Sequence, residues 1–460
     1  MNGAPRLDAK ALFPRGVTAF SVDDLTGYRG PALKVLEGAG IKIGDFIELQ
    51  LSGDSVKGTL VPRYQNNDDR HIVVKLKSGY NVGIGVARVS GIRRLAEGER
   101  PSFTSSPPKA EDGLPLVSIL GTGGTIASRV DYRTGAVHAA ISAEDLYSLM
   151  PELSDIANIS PEIVVSVYSE NLEPEHWEKI AAKVSECVAR GARGVIVTTG
   201  TDVMGYTSAA LSFALQKVPV PVFVVGSQRS SDRPSSDAYL NLIGAVSMAV
   251  SAEFSGVYVV MHADTSDERL AVHRGTRVRK NHTSARDAFR SVGLEPVAYW
   301  SRGGLDLVSP SLPKRGSGPF TARPRFDAGA ALLKFYPSMQ TAYVRSILDS
   351  GLKGLVIEGT GLGHINGKNV AAIKGFIDAG GLVCMTSQCI WGRVDMNVYD
   401  TGRDLLEAGV VPLEDMLGET ALSKMMWVLA NAASSGERRA MMTSDLAGET
   451  TERTLPGGSA

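Results

Sequence analysis

The sequence predicts an α/β protein: a doubly wound, mostly parallel sheet followed by a smaller α/β unit and preceded by a small antiparallel β-barrel. Three observations predict it. From residue 114 onward, apolar β-rich runs alternate with stretches of helical periodicity, the pattern of strand–helix–strand units. Between residues 41 and 95 the pattern is instead five short β-type runs separated by turn residues. Two stretches rich in Pro, Ser and Gly then punctuate the chain as linkers. At 460 residues, and at roughly 150 per domain, about three units are expected. The expected divisions are a lead at 1–40, the barrel at 41–96, a linker at 97–113, an α/β unit at 114–309, a second linker at 310–327, a smaller α/β unit at 328–440 and a tail at 441–460.

The lead shows one short helical pattern around Pro31 and Glu37, closed by Gly38 and Gly40. The barrel strands are expected at 43–51, 56–62, 71–76, 80–86 and 89–95. They carry Arg63, Arg70, Lys75, Lys77, Arg88, Arg93 and Arg94, which read equally as a solvated surface or as a contact surface for RNA or protein. In the larger α/β unit, strands are expected at 116–120, 163–167, 194–198, 222–226, 256–261 and 296–300. Helices are expected at 143–150, 174–190, 203–215 and 236–251, with Pro174 in a first turn and Asp202 ahead of another. The smaller unit shows strand patterns at 331–336, 354–357 and 381–386 and helical ones at 338–350, 368–379, 402–408 and 421–434. Beyond residue 435 apolar periodicity is lost, and the tail is expected to fray.

Composition excludes several classes. No run approaches the ~20 apolar residues of a membrane span, and the first residues lack the apolar core of a secretory signal, so a cytoplasmic protein is expected. Cys187, Cys384 and Cys389 are too few for a disulfide framework and lack metal spacing, so they are expected to be buried thiols, and no metal is expected. Lys and Arg total 48 against 49 Asp and Glu, so no global field draws nucleic acid to the chain.

The chemistry gathers at two strand ends. Leu120-Gly121-Thr122-Gly123-Gly124-Thr125-Ile126-Ala127-Ser128 follows an apolar run and breaks into glycines and a lone hydroxyl, where parallel sheets bind ligands. It is no phosphate-binding P-loop, because Gly124 is followed by Thr125 and Ile126 instead of Lys and Ser/Thr, and Ile126 stands where a dinucleotide fingerprint needs its third glycine. Thr125 is therefore a candidate nucleophile, with a plain structural turn as the alternative. A second buried strand ends in Thr198-Thr199-Gly200-Thr201-Asp202. Alone, Asp202 reads as a helix cap and Thr201 as a turn residue. A threonine hydroxyl needs a base held by a third group. None of the seven histidines has a telling spacing, and Lys280, in Arg277-Val278-Arg279-Lys280, is the other option, with a solvated surface lysine as its alternative.

Taken together, Thr122-Gly123-Gly124-Thr125-Ile126-Ala127 and Thr199-Gly200-Thr201-Asp202 resemble the two threonine motifs of the asparaginase/glutaminase family of amidohydrolases. The resemblance implies an asparaginase-like pair of α/β subdomains and hydrolysis of a side-chain amide. Carried over, Thr125 matches the nucleophile, while Thr201, Asp202 and Lys280 match the second threonine and its acid and lysine partners; the lysine match rests on Thr283 and Phe289 that follow it. Ser169-Glu170-Asn171 resembles the substrate-binding segment, with Ser169 and Glu170 meeting the amino acid and Gly124 and Gly200 shaping the turns around it. Tyr132 is the candidate for the family's loop tyrosine, although its offset from Thr125 departs from the family spacing.

The barrel, the linker, Ser128-Arg129-Val130-Asp131-Tyr132-Arg133-Thr134-Gly135-Ala136-Val137 and Gly226-Ser227-Gln228-Arg229-Ser230-Ser231-Asp232-Arg233-Pro234 are similar to the D-subunit family of archaeal-type glutamyl-tRNA(Gln) amidotransferases. That similarity implies a glutaminase that binds no cofactor itself and passes ammonia to a companion E subunit of the GatE type. The companion binds Glu-tRNA(Gln) and uses ATP and magnesium; a homodimer of this chain within an α2β2 complex is implied. The chain has no Walker motif and no kinase signature of its own. The alternatives are a stand-alone cytoplasmic L-asparaginase carrying an extra domain, and a non-catalytic binding module on an amidohydrolase scaffold.

Overall fold

The computed structural model describes residues 25, 27–63, 68–76, 81–97, 113–123, 128–130, 137–139, 150–229, 235–316 and 319–454. The chain divides into two compact units, an amino-terminal one and a much larger one that holds nearly all residues from 102 onward.

In the first unit, β1 (Phe46–Leu51), β2 (Asp54–Leu60), β3 (His71–Lys75), β4 (Asn81–Gly85) and β5 (Val89–Ala96) form one sheet in the order β4-β3-β2-β1-β5. β1 pairs antiparallel with both β2 and β5. The short helix Gly30–Gly38 adds Ala32 and Leu36 to a core of Ile47, Leu49, Leu60, Ile72 and Val74. Helix and strands thus lie close to their expected places. The basic residues are largely spoken for. Arg93 and Lys57 both reach the buried Glu48, at 2.7 and 3.3 Å, and Arg94 stands 3.6 Å from Asp45. Arg63 is buried, donating to the His71 and Asp68 carbonyls at 2.7 and 3.1 Å. These side chains help hold the sheet together.

The second unit is built on β6 (Leu116–Gly121), a short antiparallel pair β7 (Ser128–Val130) and β8 (Val137–Ala139), then β9 (Asn158–Ile163), β10 (Gly194–Thr198), β11 (Pro221–Val225), β12 (Gly256–His262) and β13 (Arg269–Arg274). β14 (Val278–Lys280) and β15 (Phe289–Ser291) form a separate hairpin, followed by β16 (Ala298–Ser301) and β17 (Gly304–Leu307). The main sheet runs β17-β16-β13-β12-β11-β10-β6-β9, parallel from β9 to β12 and antiparallel beyond. A parallel sheet of four strands follows, β18 (Ala330–Lys334), β19 (Gly354–Gly359), β20 (Leu382–Ser387) and β21 (Val411–Pro412).

Helix Ala238–Ser251 covers one face of the main sheet. The other face packs against helices Pro174–Ala189 and Met204–Ala214, and that core runs on through helix Gly418–Asn431 to Val356, Cys384 and Val411 of the smaller sheet. Met204–Ala214 is buried on nearly every side because it lies inside this shared core.

Four expectations need correction. The strand expected at 163–167 lies at Asn158–Ile163, on the sheet edge beside β6, where Pro161 costs no ladder hydrogen bond on the open side. β13, the β14–β15 hairpin and β17 were not anticipated, because their short runs mix charged and apolar residues. As far as residue 454 the tail does not fray: Ser434 caps a helix at Ser435–Thr443, and Glu449 beyond it is fully buried. Cys187 and Cys384 are buried thiols, but Cys389 is exposed. The helix expected at 143–150 falls almost wholly outside the described residues. No helix among the described residues is long and apolar enough to cross a membrane.

Buried His273, on β13, shares a 2.9 Å hydrogen bond with Ser291 through Nδ1. Burial, and secondarily the Arg290 charge, push its pKa down from the ordinary 6.5 to about 3. A depressed folded-state pKa means that the stabilisation is fully present above pH 6.5 and is lost as the pH falls towards 3. The loss approaches about 1.4 kcal/mol per pH unit for one proton. Urea unfolding at pH 7, 6 and 5 is expected to give a shallower acid slope in His273→Gln than in the native chain, whose slope also carries His262, shifted down by its own burial.

Candidate active site

The parallel register of β6 and β10 pairs Gly121 with Thr198, so both threonine turns leave the sheet side by side. The turns are then stitched together. Thr122 donates its amide and its hydroxyl to the Thr198 carbonyl at 3.0 and 2.9 Å, and the Thr199 amide reaches the Val225 carbonyl of β11 at 2.9 Å. Gly123 has φ +97°, and a Cβ there would stand 2.3 Å from the Val167 carbonyl oxygen, so only glycine fits. Gly200 presses on the segment after β9: a Cβ would lie 2.6 Å from the Ser169 Cβ. The glycines therefore bring the two turns against the segment from Val167 to Ser169.

Lys280 arrives from the β14–β15 hairpin, where it pairs with Phe289. Its Nζ donates to Thr201 Oγ1 at 2.8 Å and to Asp202 Oδ1 at 2.7 Å. Thr201 is buried and the lysine side chain is only 12% exposed, whereas Asp202 is 69% exposed. A hydroxyl that accepts from an ammonium keeps its own proton to donate, and it can hand that proton over once the amine is neutral. The carboxylate fixes the amine, giving the hydroxyl–base–orienter arrangement that an activated threonine requires. Three of the four expected catalytic side chains thus meet. Thr125, Gly124 and Tyr132 lie outside the described residues. Ser169, buried, and Glu170 sit on a short 3-10 turn after β9, with Ser169 Oγ 3.5 Å from Glu170 Oε2.

Further polar residues at this edge were not anticipated. Buried Asp237 accepts from the Gln228 amide at 2.9 Å and from the Arg229 amide at 3.1 Å, and Asn241 Nδ2 reaches the Gly226 carbonyl at 2.9 Å, fixing the turn after β11. Burial pushes the Asp237 carboxyl up, and the two amides pull it back. Thr199 Oγ1, Ser227 Oγ and Gln228 Nε2 are buried with no partner among the described residues. Thr199 and the 226–234 stretch stand inside the sequence motifs, but nothing in their spacing distinguishes a ligand contact from a turn. Among the described residues no group of three or more His, Cys, Asp or Glu side chains converges as a metal would need.

Three family profiles match the chain: "Asparaginase, N-terminal" over residues 116–312, "Glutaminase/Asparaginase C-terminal domain" over 330–442 and "GatD N-terminal domain" over 41–95. The chain is 47% identical over 427 residues to the D-subunit of the glutamyl-tRNA(Gln) amidotransferase of Thermococcus kodakarensis, covering 91% of this chain and 97% of that one. The corresponding D-subunit of Pyrococcus furiosus is 46% identical over 430 residues, covering 92% and 98%. This chain belongs to the D-subunit family of glutamyl-tRNA(Gln) amidotransferases. Among solved structures, the thermostable L-asparaginase from Thermococcus kodakarensis superposes with a TM-score of 0.65 at 32% identity, over 73% of this D-subunit family member and 99% of the asparaginase. L-asparaginase I from Vibrio cholerae gives a TM-score of 0.64 at 27% identity, over 74% and 99%. The two α/β halves of the D-subunit chain therefore have the asparaginase fold.

Gly200→Ala tests the contact between the turn after β10 and the segment after β9. Overpacking against Ser169 is expected to lower unfolding stability by about 1–3 kcal/mol. Gly375→Ala, in helix Val370–Asp378 with no atom within 4 Å of the added Cβ, should be neutral or stabilising by up to about 1 kcal/mol in the same urea titration.

Proposed function

We propose that this chain is the glutamine-hydrolysing subunit of a tRNA-dependent amidotransferase, with Thr125 as nucleophile. The observation that carries the reading is Lys280 bridging Thr201 and Asp202 at the carboxyl edge of β10, beside the strand that leads to Thr125. Family membership over more than 90% of the chain, including the amino-terminal segment at 41–95, favours an amidotransferase subunit over a stand-alone asparaginase.

In this mechanism Thr125 attacks the side-chain amide carbon of glutamine. The C–N bond breaks, ammonia leaves with a proton supplied from the site, and water then cleaves the acyl ester to release glutamate. Asp202 and Lys280 handle the protons through Thr201. Backbone N–H groups of the turns at Gly124 and Gly200 stabilise the oxyanion, each such donor typically being worth about 3 kcal/mol. Glu170 meets the ammonium end of the substrate, and Ser169 its carboxylate. The ammonia passes to a companion E subunit, which holds Glu-tRNA(Gln) and uses ATP and magnesium to amidate it. A homodimer of this chain carrying two companions, working in the cytoplasm, completes the reading.

The test is ammonia release from glutamine and from asparagine by the chain alone, and then with its companion and Glu-tRNA(Gln). Glutamine turnover that rises with companion and tRNA, and falls by at least about 10³-fold in Thr125→Ala, is the expected result. Fast asparagine turnover indifferent to both additions would return the chain to the ordinary asparaginases.

A further inference from the structure

β14 is three residues long and pairs only with the equally short β15. A hairpin of that size has little rigidity of its own. Yet it delivers Lys280, whose long side chain can hold its amine on Thr201 only if its backbone is fixed.

The residues leading into β14 are clamped one after another by the carboxyl-terminal part of the chain. Thr276 donates its hydroxyl to the Ala447 carbonyl at 3.1 Å, and its own carbonyl accepts from Thr420 Oγ1 at 2.8 Å. Arg277, 1% exposed, donates from Nη1 to the carbonyls of Asp415 and Glu449 at 2.8 and 3.1 Å. Its Nη2 meets the Asp415 carboxylate at 3.0 Å, and its Nε reaches the Val292 carbonyl at 3.0 Å. Arg279 pairs with Glu419 at 2.9 Å.

The strap that supplies Ala447 and Glu449 is itself locked. The fully buried Glu449 carboxylate accepts from the Leu446 amide at 3.0 Å, the Ala447 amide at 2.6 Å and Lys424 Nζ at 2.5 Å. Lys424 spends its other donors on the Met442 and Ser444 carbonyls. Thr451 closes the circuit on Asp415, its amide on Oδ1 at 3.0 Å and its hydroxyl on Oδ2 at 2.5 Å. A surface tail needs no buried ion pair; burying two charges is costly unless every donor and acceptor is met. Here they are met, and the result is one fixed position for residues 276–280.

We infer that the strap of residues 445–454 is a positioning element of the hydrolytic site, acting through Arg277 and Thr276 to fix the strand that presents Lys280 to Thr201 and Asp202. The inference rests on Lys280 being the proton-handling partner in the proposed hydrolysis.

The experiment uses the full-length chain assembled with its companion and follows glutamine hydrolysis. Thr451→Val removes the hydroxyl on Asp415 at nearly constant volume, Thr451→Ser restores it, and Arg277→Lys keeps a charge that cannot reach all four acceptors. Expected is a fall in kcat of roughly 3- to 10-fold for Thr451→Val and about tenfold or more for Arg277→Lys, with KM within about twofold, because a small displacement of a catalytic group costs turnover. Thr451→Ser returns kcat to the native value. A folded Thr451→Val with native kcat, or with its loss confined to KM, overturns the inference; if Arg277→Lys does not fold, the Thr451 pair decides. Lys280→Met is measured alongside. Native kcat in Lys280→Met overturns the reading of Lys280 and the inference with it, whereas an inactive Lys280→Met beside a native Thr451→Val overturns the strap alone.

Discussion

The parallel pairing of β6 with β10 is the constraint on which the rest depends. It places Gly121 opposite Thr198, and each strand then breaks into glycines and hydroxyls at the same edge. Both strands are apolar on both faces, so the face a side chain takes does not by itself set the register; the hydrogen bonds at the strand ends hold the two threonine turns side by side. Thr122, held twice on the Thr198 carbonyl, converts sheet register into the register of the turns. The candidate site takes its geometry from backbone pairing.

The proposed hydrolysis also needs a cation at the end of β10, and the main sheet does not provide it. Lys280 comes from a small hairpin pinned by residues far along the chain: Asp415, Glu419, Thr420 and the segment around Glu449. Helix Gly418–Asn431, which packs on helix Met204–Ala214 in the shared core, carries two of these anchors. The two α/β halves thus meet through apolar packing in the core and through charged and hydroxyl side chains at its rim. Removing a partner from such a rim leaves a buried charge unmet, which costs more than the contact contributes.

Much of this was legible in the sequence, and for identifiable reasons. Buried parallel strands are near-continuous runs of apolar, β-branched residues, so the runs at 194–198 and 222–226 stand out, and the glycine–threonine turns after β6 and β10 are clear punctuation. The pairing of Lys280 with Thr201 and Asp202 was reached through family resemblance, since a lysine in an Arg-rich stretch looks like any surface lysine. Two features were hidden. β9 contains Pro161 and Glu162, tolerated only because it is an edge strand, and the apolar run just after it was the more conspicuous signal. The strap at 445–454 is held by Glu449, Thr451 and carbonyl oxygens, and such polar anchoring has no periodicity to read. Thr199, Ser227 and Gln228 were visible as residues but not as buried polar atoms lacking partners among the described residues.

The most direct measurement is covalent trapping. A glutamine-derived diazoketone, whose carbonyl sits where the side-chain amide would and whose diazo-bearing carbon alkylates the attacking nucleophile, is incubated with the full chain, and the adduct is located by peptide mass spectrometry. Labelling confined to Thr125, protected by glutamine and lost in Thr125→Ala, is the result expected of a threonine nucleophile fed by Thr201, Lys280 and Asp202. A label on Thr201, or undiminished active-site labelling in Thr125→Ala, would contradict that assignment.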